Sequence, residues 1–309
     1  LAGYWKLGSD DNQALSASLR YFSLGEVNTT DPMGNPLQSL NPYELSFDIG
    51  YSRKLSEKFS MGVVFRYIYS DLGFSTYDAG DQTSGASAFS ADIAGYYTTY
   101  PIIGRNECQW SWGWNISNIG SKVSYNNGND PAFLPTNLRL GTAFTFPLAD
   151  YNNLTLSLDL NKLLVPARPR ESDYVDYSET DNSIRIEQER EYLDAVENWE
   201  NMSSITGIFK SFSDAPGGFK EELQEITWSL GAEYSYNQQF FVRAGYYYEN
   251  ANKGNRQYFG FGAGFSLNVL RLDASYMLAT AQTSPLDQTL RFTLSFDMDG
   301  LRDLLGKRR

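Results

Sequence analysis

The sequence predicts an all-β protein, an antiparallel transmembrane β-barrel of about fourteen strands, thirteen of them within its 309 residues. Three observations predict it. Stretch after stretch alternates apolar and polar residues for about ten positions and then turns, the period that puts every apolar side chain on one face of a strand. No run approaches the roughly eighteen apolar residues of a membrane helix, and mean hydropathy is -0.43. A membrane strand needs only about 9–11 residues, half of them polar, so low hydropathy is compatible with crossing a bilayer. The connections also alternate in length, as in outer-membrane barrels with short periplasmic turns and long outer loops.

The elements follow in order. After a short first strand over 1–7, residues 13–24 set Leu15, Leu19 and Tyr21 against Ser16, Ser18 and Arg20. Residues 44–54 set Phe47, Ile49 and Tyr51 against Ser46, Asp48 and Gly50, and 59–71 set Val63, Phe65 and Tyr67 against Gly62 and Arg66. Strands over 87–98, 108–118 and 136–147 carry the pattern on. Residues 152–162 give its plainest form, with Leu154, Leu156, Leu158 and Leu160 opposite Thr155, Ser157, Asp159 and Asn161. Strands over 225–237, 239–250, 256–268 and 269–281 lead to 288–298, where Leu290, Phe292, Leu294 and Phe296 alternate with Arg291, Thr293 and Ser295. Short connections lie near 8–12, 54–58, 99–107, 148–151, 237–239 and 268–270; the others, mostly longer, near 25–43, 72–86, 119–135, 163–224, 251–255 and 282–287. Aromatic residues are 15% of the chain, and Tyr and Trp suit the headgroup level of a bilayer. Bacterial single-chain barrels have an even number of strands, so one more strand and an N-terminal segment are expected upstream of Leu1. The barrel is expected to occupy 1–298, with 163–224 as an extracellular insertion and 299–309 as a periplasmic tail.

Parity assigns Asp48, Asp92, Asp159, Glu233, Asp273 and Asp297 to the inward face with Arg20, Arg66, Arg139, Arg243, Arg271 and Arg291. Balanced signs favour paired charges in a filled lumen over the one-sign ring of an ion-selective pore. Ordinary solvated lumen charges would also satisfy the pattern. Gly260, Gly262 and Gly264 share one face of a strand, which suits a sharp bend or the close approach of a plug.

The acidity is concentrated. Residues 163–224 hold 14 acidic and 6 basic residues, a net of -8 within the chain's -12. Ile186, Leu193, Val196 and Trp199 lie near helical spacing in a Glu-rich run, and Ile205, Ile208, Phe209 and Phe212 form a second amphipathic piece. A turn-forming cluster follows, Ser213-Asp214-Ala215-Pro216-Gly217-Gly218-Phe219. Such an insertion folds over its own barrel mouth or meets a partner, and its length exceeds what a connection needs. Trp199, Phe209, Phe212, Ser213, Asp214, Pro216, Gly217, Gly218 and Phe219 are the candidate partner-binding residues, because aromatic residues dominate interface hot spots.

Catalytic chemistry finds few residues. The chain has no His, which excludes His-based triads, and its one cysteine, Cys108, cannot build an ordinary zinc site. Asp173, Asp176, Glu179 and Asp181 lack the spacing and glycine of a calcium loop, so a solvated acidic run explains them better. No cofactor or metal is expected, P-loop motifs are absent, and the acidity argues against nucleic acid.

Two segments resemble the PorV (LptO) family of the type IX secretion system, a branch of the FadL-like barrels. They are Ala17-Ser18-Leu19-Arg20-Tyr21-Phe22-Ser23-Leu24-Gly25-Glu26-Val27 and the run from Gly207 to Leu223, Gly-Ile-Phe-Lys-Ser-Phe-Ser-Asp-Ala-Pro-Gly-Gly-Phe-Lys-Glu-Glu-Leu. The resemblance implies a fourteen-stranded outer-membrane barrel without catalytic residues. It implies pairing with the SprA (Sov) translocon, binding of the C-terminal signal domains of exported cargo, and delivery to the PorU attachment machinery. The alternative from FadL kinship is a transporter of hydrophobic small molecules, which would need an apolar inner pocket and a kinked wall strand.

Overall fold

The structure is a computed structural model describing residues 1–8, 12–31, 33–71, 85–125, 131–178, 181–280, 287–298 and 300–301. Its wall is a single thirteen-stranded antiparallel sheet in which every strand pairs with its neighbours in sequence. The strands are β1 (Ala2–Leu7), β2 (Gln13–Ser23), β5 (Tyr43–Lys54), β6 (Phe59–Asp71), β7 (Ala86–Thr99), β10 (Gln109–Gly120), β11 (Asn137–Ala149), β12 (Asn152–Leu163), β13 (Thr227–Tyr236), β14 (Phe240–Tyr248), β15 (Tyr258–Leu267), β16 (Leu270–Ala279) and β17 (Leu290–Phe296). Two hairpins stand outside the wall: β3 (Val27–Thr30) with β4 (Pro36–Leu40), and β8 (Ile102–Ile103) with β9 (Asn106–Glu107). Every strand expected from the alternation is present. β1 and β17 end the sheet and run the same way, and no hydrogen bond joins them among the described residues.

The connections keep the expected alternation. Turns at 55–58, 150–151, 237–239 and 268–269 lie at one end, and connections at 24–42, 121–136, 164–226 and 249–257 at the other. The 100–108 connection belongs to the short end yet holds the β8–β9 hairpin. Expectations for 72–86 and 282–287 fall mostly on residues outside those described, as do those for the tail at 299–309.

The outward face is apolar and exposed. Leu156, Leu158 and Leu160 on β12 stand beside Leu140 on β11 and Leu230 on β13, and Phe65, Phe89, Val242, Phe261 and Phe292 continue the band. In water such a belt would drive aggregation; in a bilayer it is the solvated surface. No described helix is long and apolar enough to cross a membrane.

Inside, part of the set of charges that parity assigns inward pairs in two clusters. Arg66 on β6 donates to Asp48 on β5 (2.8 Å) and Asp92 on β7 (2.9 Å), and also to the side chain of Asn118 on β10. The register of β10 slips between Ile116 and Ile119, and Asn118 takes φ 60° there. Four bonds hold that left-handed residue: the Arg66 contact, Asn118 N to Asp92, Thr136 Oγ1 to its carbonyl, and its amide to Pro135 O. In the second cluster Arg243 on β14 reaches Glu233 on β13 (2.5 Å) and Asp273 on β16 (2.7 Å), which also accepts from Arg271 (2.8 Å). Two details differ from expectation. Arg139 donates to Asn161 (2.7 Å) instead of a carboxylate. The glycine stripe leaves room for a side chain: Arg243 lies opposite Gly262, and a Cβ on Gly264 would strike Asp273 and Arg243. Beside this cluster the lumen keeps a cavity of about 580 Å³, bordered by Ser157, Glu233, Asp273, Arg291 and Thr293. Tyr125, just after β10, donates to Ser70 on β6 (2.9 Å).

Candidate functional site: the outer-rim insertion

The long 164–226 connection builds three helices: α1 (Asn182–Asn201), α2 (Ser204–Lys210) and α3 (Phe219–Gln224). Asp181 caps α1 by accepting from Ser183 N (2.8 Å), and Ser203 caps α2 by accepting from Thr206 N (3.1 Å). The first two were expected from spacing. α3 was not, because its residues follow a Pro-Gly-Gly turn; Gly218, at φ 68°, lets the chain enter it.

Trp199 fastens α1 to the barrel. It is only 9% exposed, its indole N–H donates to Pro166 O (3.1 Å), and its ring meets Phe133 edge-on at 5.1 Å. Lys122 caps the C-terminus of α1 through the carbonyls of Trp199 (3.2 Å) and Glu200 (2.6 Å), and its ammonium lies 4.0 Å from the Phe133 ring. Trp199 is therefore an internal anchor. The expectation that it meets a partner is corrected by its burial.

A polar clasp fastens α3. Lys162 lies two residues beyond Leu160, so alternation puts it on the same outward face, just above the leucine belt. It pairs with Glu222 (2.8 Å) and Glu225 (2.7 Å), and Lys253 in the 249–257 loop pairs with Glu221 (2.6 Å) and Glu225 (3.0 Å). Burial would push the Glu222 carboxyl up, but Lys162 and the N–H of Ala215 together hold it below its ordinary range. Burial likewise opposes the charge on Lys253, and its two glutamates outweigh that and raise it. Asp214 goes the other way: burial pushes it up despite an N–H bond from Ala167 (2.7 Å). Lys162, Lys253 and Glu225 drew no notice in the sequence. A charge at an outward position continuing Leu154–Leu160 was the signal that could have found them.

The remaining candidates divide. Asp214 is turned toward the chain itself, and Ser213, Pro216, Gly217 and Gly218 form the exposed turn, braced by Gly217 N donating to Glu221 (2.6 Å). Phe209 is 72% exposed, Phe212 48% and Phe219 78%. The second amphipathic piece buries Gly207 and Ser211 against its neighbours and leaves Ile205, Phe209 and Phe212 uncovered. In the acidic run, Asp173 pairs with Arg170 (3.3 Å), Asp176 accepts from Ser178 N (2.9 Å), and Asp181 caps α1; Glu179 lies outside the described residues. Among the described residues no acidic cluster could hold a metal ion.

The fold and rim together define a transmembrane β-barrel with a helical insertion docked at one rim. The family model described as type IX secretion system protein PorV matches residues 3–170, more than half the chain, and the protein belongs to that family. It is thus an outer-membrane component of type IX secretion. Two solved barrels are similar in outline. CdiB from Acinetobacter baumannii is 11% identical with a TM-score of 0.44, covering 92% of this chain and 47% of its own, so the chain spans about half its length. A Pseudomonas aeruginosa FadL homologue is 12% identical with a TM-score of 0.39, covering 95% and 74%. No curated protein matches the chain.

Proposed function

We propose that this barrel is a non-enzymatic carrier in type IX secretion. It sits in the outer membrane of a Gram-negative bacterium, associates with the SprA/Sov translocon, binds the C-terminal signal domain of exported cargo, and passes that cargo to the PorU-type attachment complex. Family membership supports the system, and the observation that supports the surface is the rim insertion with its uncovered aromatics. Phe209, Phe212 and Phe219, with the turn Ser213, Asp214, Pro216, Gly217 and Gly218, are the contact residues on this reading. Trp199 acts indirectly, by holding α1 in place. The wall is suited to a carrier that diffuses in the membrane plane.

Replacing residues 170–222 by a short Gly/Ser linker tests this. Lys162 keeps Glu225 in that variant, and long-loop changes cost little closure entropy, so the barrel should fold and retain heat-modifiable migration. Co-purification with the translocon and retention of cargo signal domains should be lost. Normal secretion and anchoring by the deletion variant would reduce the insertion to a cover over the barrel mouth.

A further inference from the structure

We infer that the apolar edges of α2 and α3 are seated in the outer leaflet of the membrane that the barrel spans, with Lys210 and Lys220 on anionic lipid headgroups. This concerns the barrel before any partner arrives, when the aromatics that the partner reading assigns to cargo are free to meet lipid, and it does not depend on that reading. Three observations carry it.

The first is a pair of continuous apolar edges. On α2 and the residues after it, Ile205, Phe209 and Phe212 fall on one side, about 80–140° round the helix from Ser204, while Gly207 and Ser211 face the protein. On α3, Phe219 and Leu223 are four residues apart and share a side. All five are exposed, Phe212 the least of them at 48%.

The second is height. α3 hangs from Lys162, and the Phe212 ring lies 6.0 Å from that ammonium. Lys162 is one outward position above Leu160, roughly 7 Å along the strand. Glu221 points toward Lys253 in the 249–257 loop, and Glu225 bridges Lys253 and Lys162. Glu222 reaches the outward Lys162, and Phe219 and Leu223 lie beyond Glu222 in the same rotational sense. The apolar edges therefore lie beside the outward Lys162, one strand position from the leucine belt. A surface adjoining a lipid-solvated wall is met by lipid before anything else arrives.

The third is charge. The insertion is strongly acidic, yet both helices carry an exposed lysine directly after an aromatic, Lys210 after Phe209 and Lys220 after Phe219. Among the described residues neither lysine has an ion-pair partner. Aromatics beside lysines whose stems can reach up from an apolar layer are the composition of an interfacial anchor.

The test uses the full chain alone in nanodiscs containing phosphatidylglycerol, with nitroxide labels placed singly at positions 209, 219, 156 and 186 in a Cys108→Ser background. Paramagnetic accessibility is read with oxygen, which partitions into lipid, and with a nickel chelate, which stays in water. Labels at 209 and 219 should resemble 156, with an oxygen-to-nickel ratio at least about threefold above that at 186 on α1. Lys210→Glu with Lys220→Glu should move both labels toward nickel, and phosphatidylcholine discs should do the same to wild type. Labels at 209 and 219 indistinguishable from 186 would overturn the proposal, as would a lipid-like ratio that ignores both the lysines and the headgroup charge. No partner protein is present, so this outcome is independent of the co-purification test.

Discussion

The barrel wall and the rim insertion both expose large apolar side chains, and they hold their shapes by opposite means. In β12 the exposed leucines are periodic, and the strand is fixed by backbone pairing to β11 and β13 along its length. The outward leucines add nothing to that ladder; they only choose the solvent. In the insertion the short α2 and α3 have little intrinsic stability, since isolated helices below about a dozen residues are marginal. They are held by a few side chains: Trp199 in its Phe133–Pro166 socket, and Lys162 with Lys253 under α3. A wall tolerates the loss of any one outward side chain. A rim docked at a few points does not, and that is the property a surface needs if it is to move when a partner binds.

The largest test of this contrast is Lys162→Ala. The Lys162–Glu222 pair is buried, and removing one partner of such a pair leaves an uncompensated charge, at a cost of about 3–5 kcal/mol. The loss should appear as rapid amide exchange confined to α3, while the barrel keeps its heat-modifiable migration. Exchange rising equally across β12 and β13 would mean that the insertion is integral to the wall.

Next in size is the face of the wall itself. Leu158→Arg should destabilise the barrel by about 2–4 kcal/mol in a refolding titration into lipid vesicles. Ser157→Arg, whose side chain borders the lumen cavity, should cost far less. Equal costs at the two sites would invert the face assignment.

Phe212→Ala and Phe219→Ala should each weaken binding of a cargo signal domain by about 1–3 kcal/mol, measured by co-purification or calorimetry in nanodiscs. Both should leave barrel migration unchanged. If neither changes affinity, the protein contact lies on α1 or on the 24–42 connection.

The smallest expected effect is the pH response of the clasp. Glu221 and Glu222 are held below their ordinary 4.5, so their contribution to docking is complete above that value and is lost as pH falls through their lower folded values. Lys253 is raised above 10.5, so its contribution is complete below that value and is lost as pH rises through its folded one. Asp214, raised above 3.8, works against the glutamates, because its folded form favours the proton. A spin label at position 220 should become mobile only as pH falls below the ordinary glutamate range and stay ordered from neutrality to mildly alkaline pH. A label that stays ordered throughout would shift the weight of docking to Trp199.

What the sequence determined by itself is everything governed by local period. The thirteen strands, the turn alternation, the outward leucines of β12 and the inward side of Arg66 and Arg243 all follow from the two-residue repeat. Strand geometry allows a residue only two directions, so parity alone decides which solvent it meets. The membrane then makes that choice severe. α1 and α2 were legible for the same kind of reason, through their 3.6-residue spacing. Only the tertiary structure decided which members of those helices are consumed internally. Trp199 and Phe219 look alike in sequence, each an aromatic in a charged segment; one is closed into a socket built by Phe133 and Pro166, and the other is open. The pairing of the clasp was equally hidden, although Lys162 itself breaks the outward leucine run. Lys162, Glu222, Glu225 and Lys253 span two connections and a strand end, and only the sheet's neighbour order brings them within salt-bridge distance. Periodicity states which way a side chain points, but what waits there is set by contacts between residues far apart in the chain.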